Sequence, residues 1–360
     1  MKIYFIIMFV TLVLQLVLPA NNRKGHLRKC ILSFVPFFIY AAIRVNFGPD
    51  YSSYEQFFDY MQNTSIEDYD TSKEHMEIGF AYLNTIIPSF RILLVLESLL
   101  VASTFVFVFY KYIPPKYGWL GGVLLFLTGN NSIFFELVAM RNGTVVCMLL
   151  LSLPLIINRD WKKLVPVTAL AWTIHSSAAL FFPLAYIVAN PNPINKRRVY
   201  LWIGVLLVFL FSTTSGIIDL ITPVVLIAND SYEGVLNVIS DVDNGTGVIA
   251  GIFSLVLSFF ILYGHYHDKE KYSRSENVIL SLSLLFALSY LLGPLNTRVS
   301  QYFVLPFVMA VTIIVNKSSQ PIYKFALIAL TLIYVTYSFY YVWVLNNPYF
   351  VYQQYHSIWD

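Results

Sequence analysis

The sequence predicts an all-α, polytopic integral membrane protein of about twelve transmembrane helices, with short interfacial helices in an outer loop. Three observations carry that expectation. Of the 360 residues, 58% are hydrophobic and only 12% charged, about half the charged fraction of a soluble domain. The apolar residues fall in blocks long enough to span a bilayer, and the polar connections between most blocks are short. The basic residues collect in alternate connections, as the positive-inside rule requires of a multi-pass chain.

Taken in order, the expected crossings lie near 3–19, 30–45, 92–112, 119–138, 143–158, 164–175, 176–189, 199–218, 247–264, 278–293, 302–316 and 322–345, within a single membrane domain spanning residues 1–360. The first could be misread as a secretory signal, since Lys2 precedes an apolar run ending Leu18-Pro19-Ala20. Leu18 is not the small residue that a cleavage site wants, so the run is expected to be a helix of the mature chain. The sixth and seventh runs are short, and they read either as a re-entrant pair or as two kinked helices with His175 near the turn. No internal repeat is evident.

Orientation follows from charge. One set of connections holds 17 of the 23 basic residues, from Arg23 through Lys324. The other set holds Lys2, Arg44, Lys73, Arg91, Arg141 and Arg298. The first set therefore marks the cytoplasm, and both termini are expected outside. Two outer segments are long, 44–91 and 219–246. In the first, Ser52…Glu55 and Thr71…Glu74 each fit a capping box and predict two short helices. The later helix should present Met76, Phe80, Leu83 and Ile87 on one face, with Glu77, Ala81 and Asn84 on another.

Composition also narrows the chemistry. A net charge of +3, scattered through loops, offers no footprint for nucleic acid. Cys30 and Cys147 both lie in apolar runs and suggest neither a disulfide framework nor a metal site. His265 and His267 lack a third ligand at metal spacing. A phosphate-cradling glycine loop and an aspartate cluster are both missing from the sequence, which disfavours a cytosolic activated sugar donor.

Four outer arginines break the charge rule. Arg91 opens a crossing and suits snorkelling to headgroups. Arg44, Arg141 and Arg298 instead have polar or turn-forming neighbours, namely Asn46 and Gly48, Asn142 and Gly143, Asn296 and Thr297. A shared anion is the alternative to snorkelling for these three, because guanidinium binds phosphate oxygens bidentately and stays charged in a poorly hydrated site. Asp50 and Glu77 are the outer carboxylates that could act as base toward a sugar hydroxyl, or simply pair with the arginines. Glu97 and Glu136 lie within apolar runs, where an ionisable group draws attention. His175, in Ala171-Trp172-Thr173-Ile174-His175-Ser176-Ser177, could pack, donate to a phosphate or relay a proton. Tyr51 and Tyr54 flank the first arginine and could position sugar or phosphate, although interfacial belts also collect aromatics.

The ordered motifs Arg44…Phe47-Gly48-Pro49-Asp50-Tyr51…Tyr54, Glu77-Ile78-Gly79-Phe80, Met140-Arg141-Asn142-Gly143, Ala171…His175-Ser176-Ser177-Ala178 and Arg298…Tyr302-Phe303 run from the second crossing to the eleventh. In this the chain resembles the EpsG-like branch of the Wzy polymerases, which build bacterial O-antigen and exopolysaccharide. It departs at Pro49, where a small hydroxyl residue is commoner, and at Asn142-Gly143, where Gln commonly follows the arginine.

The resemblance implies a glycosyltransferase of the bacterial inner membrane, working at the periplasmic face without metal or cofactor. It would join undecaprenyl-pyrophosphate-linked oligosaccharides and release undecaprenyl pyrophosphate, with membrane lipid and a chain-length regulator protein as further partners. Arg44, Arg141 and Arg298 would then hold the pyrophosphate. Asp50 is the first choice as base, followed by Glu77 and His175, and Tyr51 and Tyr54 would position the substrate. An O-antigen ligase shares the donor and differs in its acceptor. A transporter or flippase for lipid-linked sugars would instead place ionisable residues along a path through the membrane.

Overall fold

The computed structural model describes residues 2–48, 50–71, 76–128, 137, 139–212, 245–289, 296–340 and 356–357. The described chain is almost wholly helical, as expected of an all-α membrane protein. It divides into two compact units, Met1–Ile187 with Phe339–Asp360, and Val188–Ser338.

The first unit opens with α1 (Lys2–Val17) and α2 (Arg23–Ala42). Asn22 caps α2 by accepting a hydrogen bond from the Gly25 amide at 2.8 Å. The two helices are tied by Thr11, whose hydroxyl donates to the Ser33 carbonyl at 3.0 Å. A two-residue strand β1 (Arg44–Val45) pairs antiparallel with β2 (His356–Ser357) near the C-terminus. Gly48 then takes a left-handed φ of 88°, a turn only glycine makes cheaply, and leads into α3 (Tyr51–Gln62). After α4 (Ile78–Ile86), the long helix α5 (Phe90–Tyr112) packs along α2 through Phe34, Phe37, Phe105 and Phe109. Next come α6 (Gly118–Leu127), α7 (Met140–Leu151) and α8 (Leu153–Ile157), the last two separated by Ser152. Finally α9 (Trp161–Ile174) and α10 (Ala178–Val188) complete the unit.

The second unit comprises α11 (Lys196–Ser212), α12 (Gly245–His267), α13 (Arg274–Ser289), α14 (Asn296–Lys317) and α15 (Pro321–Tyr340), whose last two residues fall in the first unit. α13 packs chiefly against α14 and also against α12.

Helices fall on the twelve expected runs, but far fewer meet the test for a crossing. Among the described residues, three are long and apolar enough: Phe90–Tyr112, Ser300–Lys317 and Pro321–Tyr340. Part of the shortfall is coverage, because the fourth, eighth and tenth runs pass into residues outside the described set. The rest is physical. At about 1.5 Å per residue, α9 and α10 are roughly 21 and 17 Å long, short of a hydrocarbon core of about 30 Å. They run antiparallel, since Arg159 before α9 lies 4.0 Å from the ring centroid of Tyr186, near the end of α10. These two runs form a hairpin with His175 at its tip.

Among the described residues the outer segment 44–91 holds two short helices; the first starts one residue before the Ser52 capping box, and the Thr71…Glu74 box lies outside the described residues except for Thr71, which is helical. α3 begins at Tyr51 with Asp50 in the cap position, and α4 begins at Ile78 with Glu77 in that position. On α4 and just after it, residues of both expected faces point inward, Phe80 and Ile87 from one and Ala81 and Asn84 from the other. Phe80, Ala81 and Asn84 are buried, whereas Ile78, Tyr82 and Ile86 are exposed. Lipid solvates an apolar face at no cost, so the polar face is the one that needs protein around it. The second outer segment, 219–246, lies outside the described residues except for Gly245 and Thr246, which open α12.

Candidate active site

Where α9 stops, the backbone of His175 turns extended, with φ −155° and ψ 129°, while its amide still bonds the Ala171 carbonyl at 2.9 Å. Ser176 and Ser177 then bridge to α10, so the imidazole is presented from a helix break. Opposite it stands Glu77, extended at φ −74° and ψ 146°, with its carboxylate making no cap bond to α4. The carboxylate reaches across the tip instead. Oε1 contacts His175 Nδ1 at 2.9 Å and accepts the Ser176 amide at 2.8 Å. Oε2 accepts from Arg141 Nη1.

Gly79 makes this approach possible. A Cβ there would stand 2.7 Å from the Thr173 carbonyl oxygen, so α4 could not sit this close to α9 with any larger residue.

Arg141 enters from the first turn of α7. Its guanidinium bonds the Tyr54 hydroxyl as well as Glu77, and its carbon lies 6.0 Å from the Phe80 ring centroid. Phe80 is held in turn by Phe57, stacked at 5.9 Å, and by Tyr54, edge-on at 5.7 Å. Arg141 Nε is buried and lacks a hydrogen-bond partner. One residue further along α7, Asn142 accepts from the Ser177 hydroxyl at 3.3 Å, adding a second tie between α7 and the hairpin tip.

Electrostatics fix the charge state of this cluster. Glu77 lies in the outer segment, where burial alone would raise its pKa. The His175 hydrogen bond, the Arg141 charge and the Ser176 amide outweigh burial and hold the carboxyl at about 2. An ionised carboxylate only accepts, so Nδ1 of His175 carries the proton in that contact and Nε2 is the nitrogen Glu77 does not engage. Burial raises the Tyr54 phenol against the lowering influence of Arg141, which keeps the hydroxyl neutral while its oxygen accepts from the Arg141 guanidinium.

The other expected site residues are placed differently. Arg44 is 1% exposed, and its guanidinium bonds Glu97 Oε2 at 2.8 Å, the Ser98 hydroxyl at 2.9 Å and the Ala41 carbonyl at 2.7 Å. It is the partner that Glu97 needed inside an apolar helix, engaging Oε2 while Oε1 is buried without a hydrogen-bond partner. Arg91 supports the same corner by donating to the carbonyls of Ala42 and Arg44.

Asp50 is exposed at the start of α3, one turn from Tyr54, and its backbone carbonyl bonds the Tyr54 amide at 3.0 Å. Tyr51 is buried against Phe90 at 5.3 Å and feels the charges of Glu55, Arg91 and Arg44 rather than Arg141. Arg298 lies in the first turn of α14, in the second unit, and its side chain is outside the described set. Glu136 also lies outside it.

The structure thus joins Glu77, Arg141, His175 and Tyr54, and sets Arg44 and Tyr51 apart. Sequence reasoning missed the Ser176 amide, which has no side-chain signature, and Gly79, whose position opposite Thr173 no local pattern reveals.

Neither the curated proteins nor the solved structures contain a match to the chain. The EpsG family model matches residues 28–356, a segment that begins in α2, ends in β2 and contains every residue of the cluster. The chain belongs to the EpsG family.

Proposed function

We propose that the protein is a membrane polysaccharide polymerase that joins lipid-pyrophosphate-linked oligosaccharide units at the outer face of the bacterial inner membrane. The observation that carries this reading is the Glu77–His175–Arg141 cluster at the tip of a membrane hairpin. It puts a fixed cation and an oriented imidazole within one carboxylate's reach. Membership of the EpsG family supports the reaction class.

The chemistry follows from the geometry. The acceptor sugar hydroxyl gives its proton to His175 Nε2 as its oxygen attacks the anomeric carbon of the donor. The bond from that carbon to the pyrophosphate oxygen breaks, and the polyprenyl pyrophosphate departs with the negative charge. Arg141 meets that charge through a guanidinium whose Nε is already desolvated and unpaired, so its interaction strengthens as the bond breaks.

Glu77 is a positioning residue in this scheme. Held at about 2, its carboxylate is too weak a base to take a proton at neutral pH, and its two oxygens are engaged by three donors. Asp50, exposed one turn from Tyr54, belongs to the rim, where it can meet the acceptor. Arg44 acts through the fold, and Arg298 remains a second candidate cation for the pyrophosphate. Tyr54 orients Arg141.

The charge rule supports outer placement of the cluster and of both termini, with the hairpin entering from the cytoplasmic side and returning to it. Counting the hairpin as re-entrant turns twelve crossings into ten and leaves the orientation unchanged. No metal or cofactor has a part in this scheme. The partners are the lipid-linked oligosaccharide, membrane lipid and a chain-length regulator.

A deletion strain complemented with variants tests the reading. Loss of the protein should leave single repeat units in place of long chains, and Arg141→Ala should fail to restore extension while reaching the membrane normally. Normal chain lengths with Arg141→Ala would contradict the pyrophosphate role. Loss of all surface glycan in the deletion strain would point to a ligase or a flippase.

A further inference from the structure

The first unit buries a second group of polar side chains where α1 ends, α2 begins and the turn Pro115–Tyr117 joins α5 to α6. Thr11 of α1 bonds the Ser33 carbonyl of α2, and one helical turn nearer the link between these helices stand Gln15 and Lys29. Both side chains end at that corner. Gln15 lies against Gly118, leaving no room there for a Cβ, and Lys29 Nζ meets the Pro115 carbonyl at 3.5 Å. Gln15 is 3% exposed and Lys29 6%.

Neither residue is satisfied. Gln15 Nε2 is buried without a hydrogen-bond partner, and the long bond to Pro115 is the one that the Lys29 ammonium makes among the described residues. Water could serve the amide, but a buried ammonium also needs a counter-charge. The surrounding chain offers none. Residues 1–49 and 98–135, which build this corner, contain no Asp or Glu, while they carry Arg23, Lys24, Arg28, Lys111 and Lys116 beside Lys29. Among the described residues Lys29 forms no ion pair.

We propose that Lys29 and Gln15 bind the phosphate group of an anionic ligand at this corner. The ammonium keeps two N–H groups beyond its bond to Pro115 and the amide keeps two, so the pair suits a ligand that only accepts. A phosphate offers several oxygens to such donors and supplies the missing charge. Lys29 directly precedes the expected crossing 30–45, which sets it at headgroup depth on the side that the charge rule assigns to the cytoplasm. A phospholipid phosphate reaches that depth without leaving its leaflet, and a free phosphate ion carries the same oxygens. The exposed Lys24 and Arg28 draw anions to the surface in general, whereas Lys29 and Gln15 are buried enough to hold one in place. The chemistry proposed for the Glu77 cluster does not depend on this site.

The test uses the full-length protein in an uncharged detergent, titrated separately with phosphatidylglycerol, phosphatidylcholine and inorganic phosphate while its melting temperature is followed. Phosphatidylglycerol should raise the melting temperature of the wild type to a plateau, and the titration gives its apparent affinity. Lys29→Met keeps the length of the side chain and should weaken that affinity at least about tenfold, the scale of a hydrogen bond to a charged group. Gln15→Met should weaken it about fivefold, as expected for a neutral donor. Lys24→Met removes the same charge from an exposed position and should leave the affinity near the wild-type value. A plateau reached with inorganic phosphate and lost in Lys29→Met would support the site with a soluble ion as its ligand. Equal responses of the wild type and Lys29→Met, or a loss in Lys24→Met as large as in Lys29→Met, would overturn it. So would a wild type that responds to none of the three probes, or to phosphatidylcholine as strongly as to phosphatidylglycerol.

Discussion

Replacing Glu77 with glutamine removes one charge and almost no volume, so it isolates the electrostatics of the hairpin tip. The wild-type carboxylate meets three donors, from Arg141, His175 and Ser176. Glutamine offers one oxygen and an amide that can only donate, so at least one of the three is left facing another donor. The carboxyl is held at about 2 against an ordinary 4.5. At about 1.4 kcal/mol per pKa unit, that amounts to some 3 kcal/mol, or roughly 2 once solvent screening of a partly exposed group is allowed for.

The sign is set by linkage. A folded-state pKa below the unfolded one stabilises the fold above about pH 4.5, and the gain disappears as pH falls toward about 2. Thermal unfolding of the purified protein in detergent, stepped from about pH 6 to about pH 2.5, should show the wild type losing stability that Glu77→Gln never had. At neutral pH the variant should be less stable by roughly 2 kcal/mol, and the two should converge in acid. Parallel acid profiles, with the variant as far below the wild type at pH 3 as at pH 7, would refute the assignment of Glu77 as the ionised hub.

Other substitutions separate positioning from chemistry. Gly79→Ala should cut chain extension at least tenfold, since its Cβ meets the Thr173 backbone carbonyl, and Thr173→Ala should rescue it only in part. Wild-type extension in Gly79→Ala would show that the close approach does not matter. Breaking the Arg44–Glu97 pair by Glu97→Leu alone should cost about 3–5 kcal/mol, and adding Arg44→Met should recover most of that in a thermal melt. If the double variant folds but cannot extend chains, Arg44 touches substrate after all. Tyr54→Phe should lower extension by about tenfold, the scale of one charge-assisted hydrogen bond, with expression unchanged. No loss would assign the Tyr54 hydroxyl a packing role.

Much of this was legible in the residues, for physical reasons that differ from place to place. Hydropathy located the helices because lipid imposes length and apolarity on every crossing. It could not tell a crossing from half of a hairpin, since 164–175 and 176–189 carry the same apolar signal either way. Arg141 stood out because a misplaced charge is costly. Arg44 stood out for the same reason and proved to be the partner of Glu97, a pairing between β1 and α5 that no local pattern encodes. Glu77 was harder to weigh. Its helix sets Glu77, Ala81 and Asn84 on a different face from Met76, Phe80, Leu83 and Ile87, yet Phe80 and Ile87 are buried along with Ala81 and Asn84, so the pattern did not single out the face that meets the site. The family motifs around Glu77, Arg141 and His175 were each short, and the structure shows their common cause, one tip at which three segments meet.

The central claim is that His175 takes the acceptor's proton beside a pyrophosphate held by Arg141. It is tested most directly by His175→Gln, purified and given lipid-linked repeat units as both donor and acceptor. The account predicts that this variant still binds undecaprenyl pyrophosphate with wild-type affinity while its rate of extension falls by about 10²–10⁴. Extension at the wild-type rate would contradict it.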